Sequence, residues 1–142
     1  MINKFRGKYA FLSNFYPSEV IYEYYIFPTV EHAYQAAKSL EEEDRVLIQK
    51  AKTPREAKKL GRCLQLRSDW DSIKLILMSN LLNQKFEIPA LRSALLKTSH
   101  EELVEENTWG DTYWGICKGE GTNWLGVLLM AIRADIQQDD PE

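Results

Sequence analysis

The sequence has few of the residues that build disulfides and metal sites. Its 142 residues include two cysteines and two histidines. Cys63 and Cys117 match no Cys-X-X-Cys pattern, so we expect free thiols rather than a disulfide. His32 and His100 have no cysteine or second histidine at ligand spacing, so no metal is expected. The sequence predicts a protein that works without a cofactor.

Long apolar segments and an excess of basic charge are missing as well. No window approaches the ~18 apolar residues of a membrane span, and no apolar run follows the N-terminal charges as in a signal peptide. A net charge of −3 argues against a broad surface that coats nucleic acid, while a small basic pocket remains compatible with it. We therefore expect a cytoplasmic protein with no membrane contact and no obligate protein partner.

Phosphate-binding loops of the P-loop or Rossmann type are also lacking. Gly115, Gly119 and Gly121 fall in a tryptophan-containing loop that no strong strand precedes. These glycines can still form a backbone nest for an anion just before the last predicted helix, whose N-terminus favours negative charge. Asn123 stands where the N-cap of that helix is expected.

Helical periodicity is the main pattern that is present. It predicts a mainly α (α+β) fold: one multihelical domain over residues 1–137 with a small antiparallel β element near the N-terminus, then an acidic tail over residues 138–142 that frays from Asp139 onward. Short strands are predicted over residues 2–9 and 102–105, and a hairpin over 19–27 that turns at Glu23 and Tyr24. Predicted helices span 28–38, 41–51, 54–60, 70–86, 89–96 and 124–136, with a loop over 107–123.

Local signals fix several helix ends and faces. Thr53, Pro54 and Glu56 form a capping-box start, and Gly61 suits the end of the same helix. Helical spacing marks the predicted main buried helix through Ile73, Leu75, Ile76, Leu77, Leu81 and Leu82. The inner face of the last helix is predicted to contain Leu125, Leu128, Leu129, Ile132 and Ile136.

The most informative run spans residues 28–38. Four polar side chains project from one side of its helix at spacings of three and four residues: Glu31, Tyr34, Gln35 and Lys38. Neighbouring alanines would let a ligand come close, so the stripe can line a pocket. The alternative is purely structural, because Thr29 is a plausible N-cap and a first-turn glutamate complements any helix dipole.

Tryptophans and basic residues add a second pattern. Trp109, Trp114 and Trp124 either pack the glycine-rich loop onto the core or form a stacking wall for a flat heterocycle, with Asp111 as a nearby second carboxylate. Six basic residues lie in the middle of the chain: Lys58, Lys59, Arg62, Arg67, Lys74 and Lys85. Most are predicted to lie on solvated helix faces, whereas Arg62 and Arg67 are placed to bind a phosphate. The combination suits a ligand with a sugar, a phosphate and a heteroaromatic ring.

Seven ordered motifs carry a family resemblance. They are LSNFYP (12–17), FPTVEHAYQAAK (27–38), GR (61–62), LRSDW (66–70), KF (85–86), DTYWG (111–115) and NWLG (123–126). Over roughly residues 5–136 the chain closely resembles the NADAR/YbiA-like family of N-glycosidases. The resemblance implies a mostly helical fold with a small antiparallel β element. The chain departs from the family pattern at the hairpin tip, which lacks a glycine, and at Gly110, where a larger polar residue is common.

The resemblance also implies a reaction and a set of site residues. Family members hydrolyse the N-glycosidic bond of phosphoribosylamino-pyrimidine intermediates of riboflavin biosynthesis, or remove ADP-ribose from guanine in DNA. The expected partner is therefore a nucleotide-like small molecule or ADP-ribosylated guanine in DNA. Glu31 is implied as the leading catalytic residue, with Lys38 and Asp111 as further candidates. The implied substrate-binding residues are Ser13, Asn14, Phe15, Gln35, Arg67, Trp70, Trp114 and Asn123.

The roles of these residues form a hypothesis with alternatives. Glu31 would stabilise positive charge on the ribose and activate water. Lys38, about 10 Å further along an ideal helix, would hold a phosphate or attack an opened ribose as an amine. Asp111 would protonate or hydrogen-bond the leaving base, which gives a two-carboxylate arrangement analogous to that of glycosidases. The competing hypotheses are a module that binds ADP-ribose or a nucleotide without cleaving it, and a structural protein whose tryptophan loop is simply packed.

Overall fold

The chain is mainly helical in a computed structural model that describes residues 1–139. In this range a 3-10 helix (Gly7–Leu12) and two small sheets accompany six α-helices: α1 (Val30–Ala36), α2 (Glu42–Gln49), α3 (Pro54–Gly61), α4 (Trp70–Lys85), α5 (Pro89–Leu96) and α6 (Trp124–Asp139). This confirms the predicted fold class. The predicted fraying does not begin at Asp139, which is still helical, and residues 140–142 of the predicted tail lie outside the described residues.

Proximity of Cα atoms divides the chain into two compact units. The first combines Met1–Ser13 with the chain from Phe86 onward, and the second is Asn14–Lys85. The organisation of residues 1–137 as one domain stays a prediction.

The second unit opens with the predicted hairpin. Strands β1 (Val20–Tyr22) and β2 (Tyr25–Phe27) pair antiparallel and are joined by Glu23 and Tyr24, whose φ angles are 42° and 76°. Left-handed angles of this kind are usually adopted by glycine, so a turn made of glutamate and tyrosine is unusual. Arg45 of α2 compensates in part, because its Nη1 binds the Glu23 carboxylate at 2.6 Å. Without a glycine, the tip is held from outside the hairpin.

Helix α1 lies at the centre of the second unit, where it contacts α2, α3 and α4. All seven of its residues are buried. The predicted N-cap is confirmed, since the Thr29 hydroxyl accepts the backbone N–H of His32 at 3.0 Å. The His32 ring lies 3.0 Å from the Ala51 carbonyl through Nε2, which must donate because a carbonyl only accepts. Burial lowers the pKa of His32, which favours the neutral ring. The ring therefore links α1 to the backbone at Ala51 by a hydrogen bond.

Helix α3 begins and ends as predicted, although its end has another cause. The Thr53 hydroxyl accepts the Glu56 N–H at 3.0 Å, and the Glu56 carboxylate accepts the N–H of Lys52, one residue before the N-cap. Gly61 is the last helical residue and does not have the left-handed backbone of a glycine cap. Instead, a Cβ at this position would overlap the side chain of Gln35. The glycine is required by close packing on α1.

Helix α4 confirms the predicted main helix but corrects its faces. Leu77, Met78, Leu81 and Leu82 are buried, as is Trp70 at its start. Ile76 was predicted on the buried face, and this is wrong because its side chain is 75% exposed. Most of the six basic residues in the middle of the chain were predicted on solvated faces, and Lys85 is an exception because it is completely buried.

The first unit replaces two predicted strands with shorter features. Residues 7–12 form the 3-10 helix, so the strand over 2–9 is wrong except at Ile2, which bridges Leu103 in parallel. That bridge is also what remains of the strand predicted over 102–105. Two-residue strands β3 (Glu106–Asn107) and β4 (Ile116–Cys117) then pair in parallel, β3 at the start of the predicted loop region and β4 inside it.

Helix α6 presents an apolar face with one buried cation. Leu125, Leu129, Ile132 and Ile136 are buried as predicted, while Leu128 is half-buried. Arg133 lies on the same stripe, where it donates to the Thr98 hydroxyl and the Glu101 carbonyl, each at 2.8 Å. None of the helices within residues 1–139 is long and apolar enough to cross a membrane. Cys63 and Cys117 carry free thiols, which confirms the prediction against a disulfide.

Candidate active site

The polar stripe of α1 contains a buried carboxylate fixed by its neighbours. Glu31 is 7% exposed, and its backbone N–H donates to the Asn14 carbonyl at 3.1 Å. One turn later, Nε2 of Gln35 donates to Oε2 of Glu31 at 2.6 Å. A short bond from an amide to a carboxylate is the charge-assisted kind, which favours the ionised acid and restricts its rotation. The local sequence therefore presents a preorganised negative charge.

Two buried amide oxygens on residues bonded to Glu31 have no hydrogen-bond partner among the described residues. They are Oδ1 of Asn14 and Oε1 of Gln35. The amide nitrogen of Asn14 faces the Met78 sulfur at 3.6 Å, so this side chain makes weak polar contacts only. Buried acceptors without donors are rare and costly, by about 1–3 kcal/mol each. Ligand hydroxyl or N–H groups would satisfy such oxygens.

Lys38 brings positive charge to the same stripe. Helix α1 ends at Ala36, and Lys38 lies in the turn that follows. The backbone N–H of Lys38 donates to the Gln35 carbonyl at 3.2 Å. Its ammonium lies 5.5 Å from the centre of the Tyr34 ring. Burial lowers the pKa of Lys38, Glu31 opposes this, and three cations lower it further: Arg62, Lys58 and Lys74. Glu31 and Lys38 thus interact electrostatically at the border of a basic cluster.

Arg67 connects the turn after α1 with the start of α4. Its guanidinium binds Asp69 through Nε at 2.6 Å and Nη2 at 3.1 Å, and its Nη1 donates to the Tyr22 hydroxyl at 3.1 Å. Its backbone N–H donates to the Lys38 carbonyl at 2.8 Å. Asp69 raises the pKa of Arg67 above its usual value and occupies the bidentate edge predicted for a phosphate. The guanidinium edge that was predicted to bind a phosphate is therefore already paired with a carboxylate.

An aromatic pair lies beside this stripe. The rings of Tyr34 and Trp70 are 5.1 Å apart at 59°, and both residues are buried. The second unit therefore brings together six of the predicted site residues, with Phe15, 37% exposed, in the same unit: Asn14, Glu31, Gln35, Lys38, Arg67 and Trp70.

The first unit contains the other predicted site residues. Oδ1 of Asp111 accepts the backbone N–H groups of Tyr113 and Trp114 at 3.0 and 2.9 Å, which closes a tight turn. Trp114 is half-buried with its ring edge-on to Tyr113, whereas Trp109 is 59% exposed. Ser13 ends the 3-10 helix of the same unit. The tryptophan loop is thus partly packed and partly open.

The predicted anion nest before α6 is wrong. The N–H groups of residues 122–125 donate instead to carbonyls of the tryptophan loop, at Thr112, Gly115, Tyr113 and Trp114 in turn. The predicted N-cap role of Asn123 is wrong as well. Its Oδ1 accepts the Glu105 N–H at 2.9 Å and its Nδ2 donates to the Leu103 carbonyl at 3.0 Å. The Asn123 side chain therefore holds the backbone at Leu103 and Glu105, and its direct contact with substrate stays a prediction.

Lys85, at the end of the second unit, is a buried polar residue that the sequence did not predict as buried. It has no exposed surface, and its ammonium lies 5.8 Å from the centre of the Tyr16 ring. Burial lowers its pKa to about 7. The signal was present, because Lys85 follows Met78 by seven residues and Leu81 by four, which is the spacing of one helix face. Within residues 1–139 no three His, Cys, Asp or Glu side chains cluster to hold a metal.

Comparisons with known proteins point to one family. The family model described as "NADAR domain" matches residues 3–137. An N-glycosidase of Nostoc punctiforme is 41% identical over 136 residues, which cover 91% of this chain and 86% of that protein. The riboflavin biosynthesis protein PYRR, chloroplastic, of Zea mays is 39% identical over 128 residues, which are 80% of this chain and 20% of that longer protein.

A solved structure extends the comparison to the fold. N-glycosidase YbiA of Escherichia coli is 39% identical over 132 residues, covering 90% of this chain and 82% of that protein. Its NMR structure superposes with a TM-score of 0.84 at 36% identity, covering 99% of this chain and 86% of that one. On this agreement of sequence, fold and named activity, the chain belongs to the NADAR domain family and is an N-glycosidase.

Proposed function

We propose that the chain hydrolyses the C1′–N bond of a phosphorylated N-riboside, with Glu31 as the central catalytic group. The supporting observation is a buried carboxylate, fixed by Gln35 at 2.6 Å, on the same stripe as the half-buried Lys38. Such an arrangement needs no reorganisation when positive charge develops beside it, which is the main source of electrostatic catalysis.

The proposed reaction passes through an oxocarbenium-like ribose. The C1′–N bond breaks, its electron pair leaves with the base nitrogen, and Glu31 stabilises the positive charge left on the sugar ring. A water molecule then adds its oxygen to C1′ while Glu31 accepts one of its protons. The family resemblance gives Asp111 the task of protonating the leaving base. Its Oδ1 accepts two backbone bonds, and its Oδ2 makes no hydrogen bond among the described residues.

The basic cluster supports a phosphorylated substrate. Lys58, Arg62 and Lys74 all act on the charge of Lys38, so an anion at Lys38 would meet several cations. We propose a phosphoribosylamino-pyrimidine as the substrate, in keeping with the name of the maize relative. The diphosphate of an ADP-ribosyl group suits the same cations, which makes ADP-ribosyl-guanine in DNA the second candidate.

A side-by-side assay tests this proposal. Wild type and Glu31→Gln are incubated with a phosphoribosylamino-pyrimidine and with a guanine-ADP-ribosylated oligonucleotide, and released sugar phosphate or ADP-ribose is measured. We expect wild-type hydrolysis of the pyrimidine riboside and its loss in the variant. Exclusive release of ADP-ribose would select the second substrate. Binding without release from either would favour the non-catalytic module, and equal rates in the variant would remove Glu31 from the mechanism.

A further inference from the structure

The end of helix α3 meets the proposed catalytic stripe through one close contact. Gly61 is buried at the last position of α3, and a Cβ there would overlap Oε1 of Gln35 and lie 2.7 Å from its Cδ. The backbone of Gly61 is not left-handed, so the glycine is not needed for its φ angle. The absence of a side chain at this position makes room for the Gln35 amide.

The Gln35 amide has its orientation fixed from both ends. Its nitrogen must face Glu31, because a carboxylate accepts the hydrogen bond of 2.6 Å. Its oxygen then lies on the Gly61 side, where it has no hydrogen-bond partner among residues 1–139. Rotating the amide by half a turn would place a carbonyl oxygen against the Glu31 carboxylate, which is electrostatically repulsive. In this orientation the amide N–H stabilises the negative charge of an ionised Glu31.

We propose that Gly61 is a positioning residue for Glu31 and acts through Gln35. Without a Cβ at residue 61, the Gln35 side chain extends far enough to donate to Glu31, fixing the rotamer and the charge of the carboxylate. This inference rests on the proposed role of Glu31. It adds a residue of another helix, acting through Gln35, to the determinants of the reaction.

Gly61→Ala tests the proposal without removing any polar group. The added methyl would overlap Oε1 and Cδ, the outer atoms of the flexible Gln35 side chain, and would lie 3.0 Å from its Cβ. Alanine is the better helix former, so we expect the variant to fold. Displacing Gln35 removes a hydrogen bond to a charged group, which predicts a kcat about ten- to a hundredfold lower at neutral pH. The acid limb of the rate–pH profile should move upward by about one pH unit or more. Gln35→Met should reproduce both effects.

Two further variants separate positioning from simple damage. Ala57→Gly changes a buried residue on the same face of α3, one turn earlier, and should lower the melting temperature while leaving the pH profile in place. In Gly61→Ala/Gln35→Met the two effects should not add, because both act through one hydrogen bond. Additive losses, or an unmoved pH profile in Gly61→Ala, would overturn the proposal.

A measurement without turnover distinguishes this proposal from that of the reaction. With 13C-labelled glutamate carboxyl groups, the titration midpoint of Glu31 is followed by NMR, its signal being assigned by its absence in Glu31→Gln. Gly61→Ala should move the midpoint to higher pH. If it does so while Glu31→Gln remains active, the positioning stands and the catalytic role of Glu31 fails. If Glu31→Gln is inactive and the midpoint does not move, the positioning alone fails.

Discussion

Gln35 donates its side-chain N–H to the carboxylate of Glu31 across 2.6 Å, one turn apart on a helix that is buried throughout. The bond joins two side chains of one stripe, four residues apart in sequence. The carboxylate therefore has a side-chain donor of its own in addition to the field of the helix dipole.

Glu31→Gln should preserve this geometry while removing the charge. The new amide oxygen can still accept from Gln35, so we expect an unchanged fold and ligand affinity within a few-fold of wild type. Turnover should fall by about a hundred- to a thousandfold, as when one preorganised electrostatic group is lost. Single-turnover rates and equilibrium binding measure the two effects separately. A normal rate would contradict the catalytic role.

Lys38→Met should weaken the binding of phosphate-bearing ligands. We expect the Kd of ribose 5-phosphate, measured by calorimetry, to rise about tenfold, the worth of one partly buried charge-assisted contact. Lys59→Met is the matched control, since it removes the same charge from an exposed position of α3. Because burial lowers the pKa of Lys38, wild-type affinity should decline with rising pH earlier than an ordinary lysine would allow. Equal losses in both variants would indicate a general charge effect.

Trp114→Ala should mainly raise KM. Loss of one stacking side chain costs about 1–3 kcal/mol of binding, which corresponds to roughly a tenfold effect or more. Trp109→Ala is the control, because that tryptophan is 59% exposed in the same loop. Steady-state kinetics on the substrate that the wild type hydrolyses compare the two. Unchanged saturation in Trp114→Ala would argue against a stacking wall.

Lys85→Met should change how stability depends on pH. Burial lowers the pKa of Lys85 from 10.5 to about 7, so between these values the unfolded chain holds a proton that the folded chain has lost. The free energy of unfolding of the wild type should therefore rise with pH through this window. The destabilisation caused by the buried lysine should be largest below pH 7, where it must be buried with its charge. The variant should be more stable at pH 6, on the order of a few kcal/mol, with the difference shrinking toward pH 10. Urea unfolding at several pH values measures it, and a constant difference would contradict the assignment.

Much of the architecture follows from local sequence signals. Each of these signals involves residues close together in sequence: the caps at Thr29 and Thr53, the proline that starts α5, and the apolar spacing of α4 and α6. Helix bounds were predictable because their hydrogen bonds are local. The strands over 2–9 and 102–105 were wrong because a bridge as short as Ile2 to Leu103 depends on long-range pairing, which propensity does not encode.

The site was predictable in its residues and less so in their contacts. The stripe from Glu31 to Lys38 follows from helical periodicity. The pairing of Arg67 with Asp69 does not follow from periodicity, although the two residues are only two positions apart. The binding of Asn123 to the 103–105 backbone depends on contacts that are distant in sequence. Burial of Lys85 was visible in its spacing and was overlooked, because lysines on helices are usually solvated.

By itself the sequence determined the helices, the polar stripe of α1 and the family, because each depends on short-range order along the chain. Only the tertiary structure decided which polar groups found partners. Gln35 faces Glu31 because Gly61 of another helix makes room for it, and the α6 N-terminus meets loop carbonyls instead of an anion. Such pairings depend on distances between residues far apart in sequence, and these distances are fixed only when the core is packed.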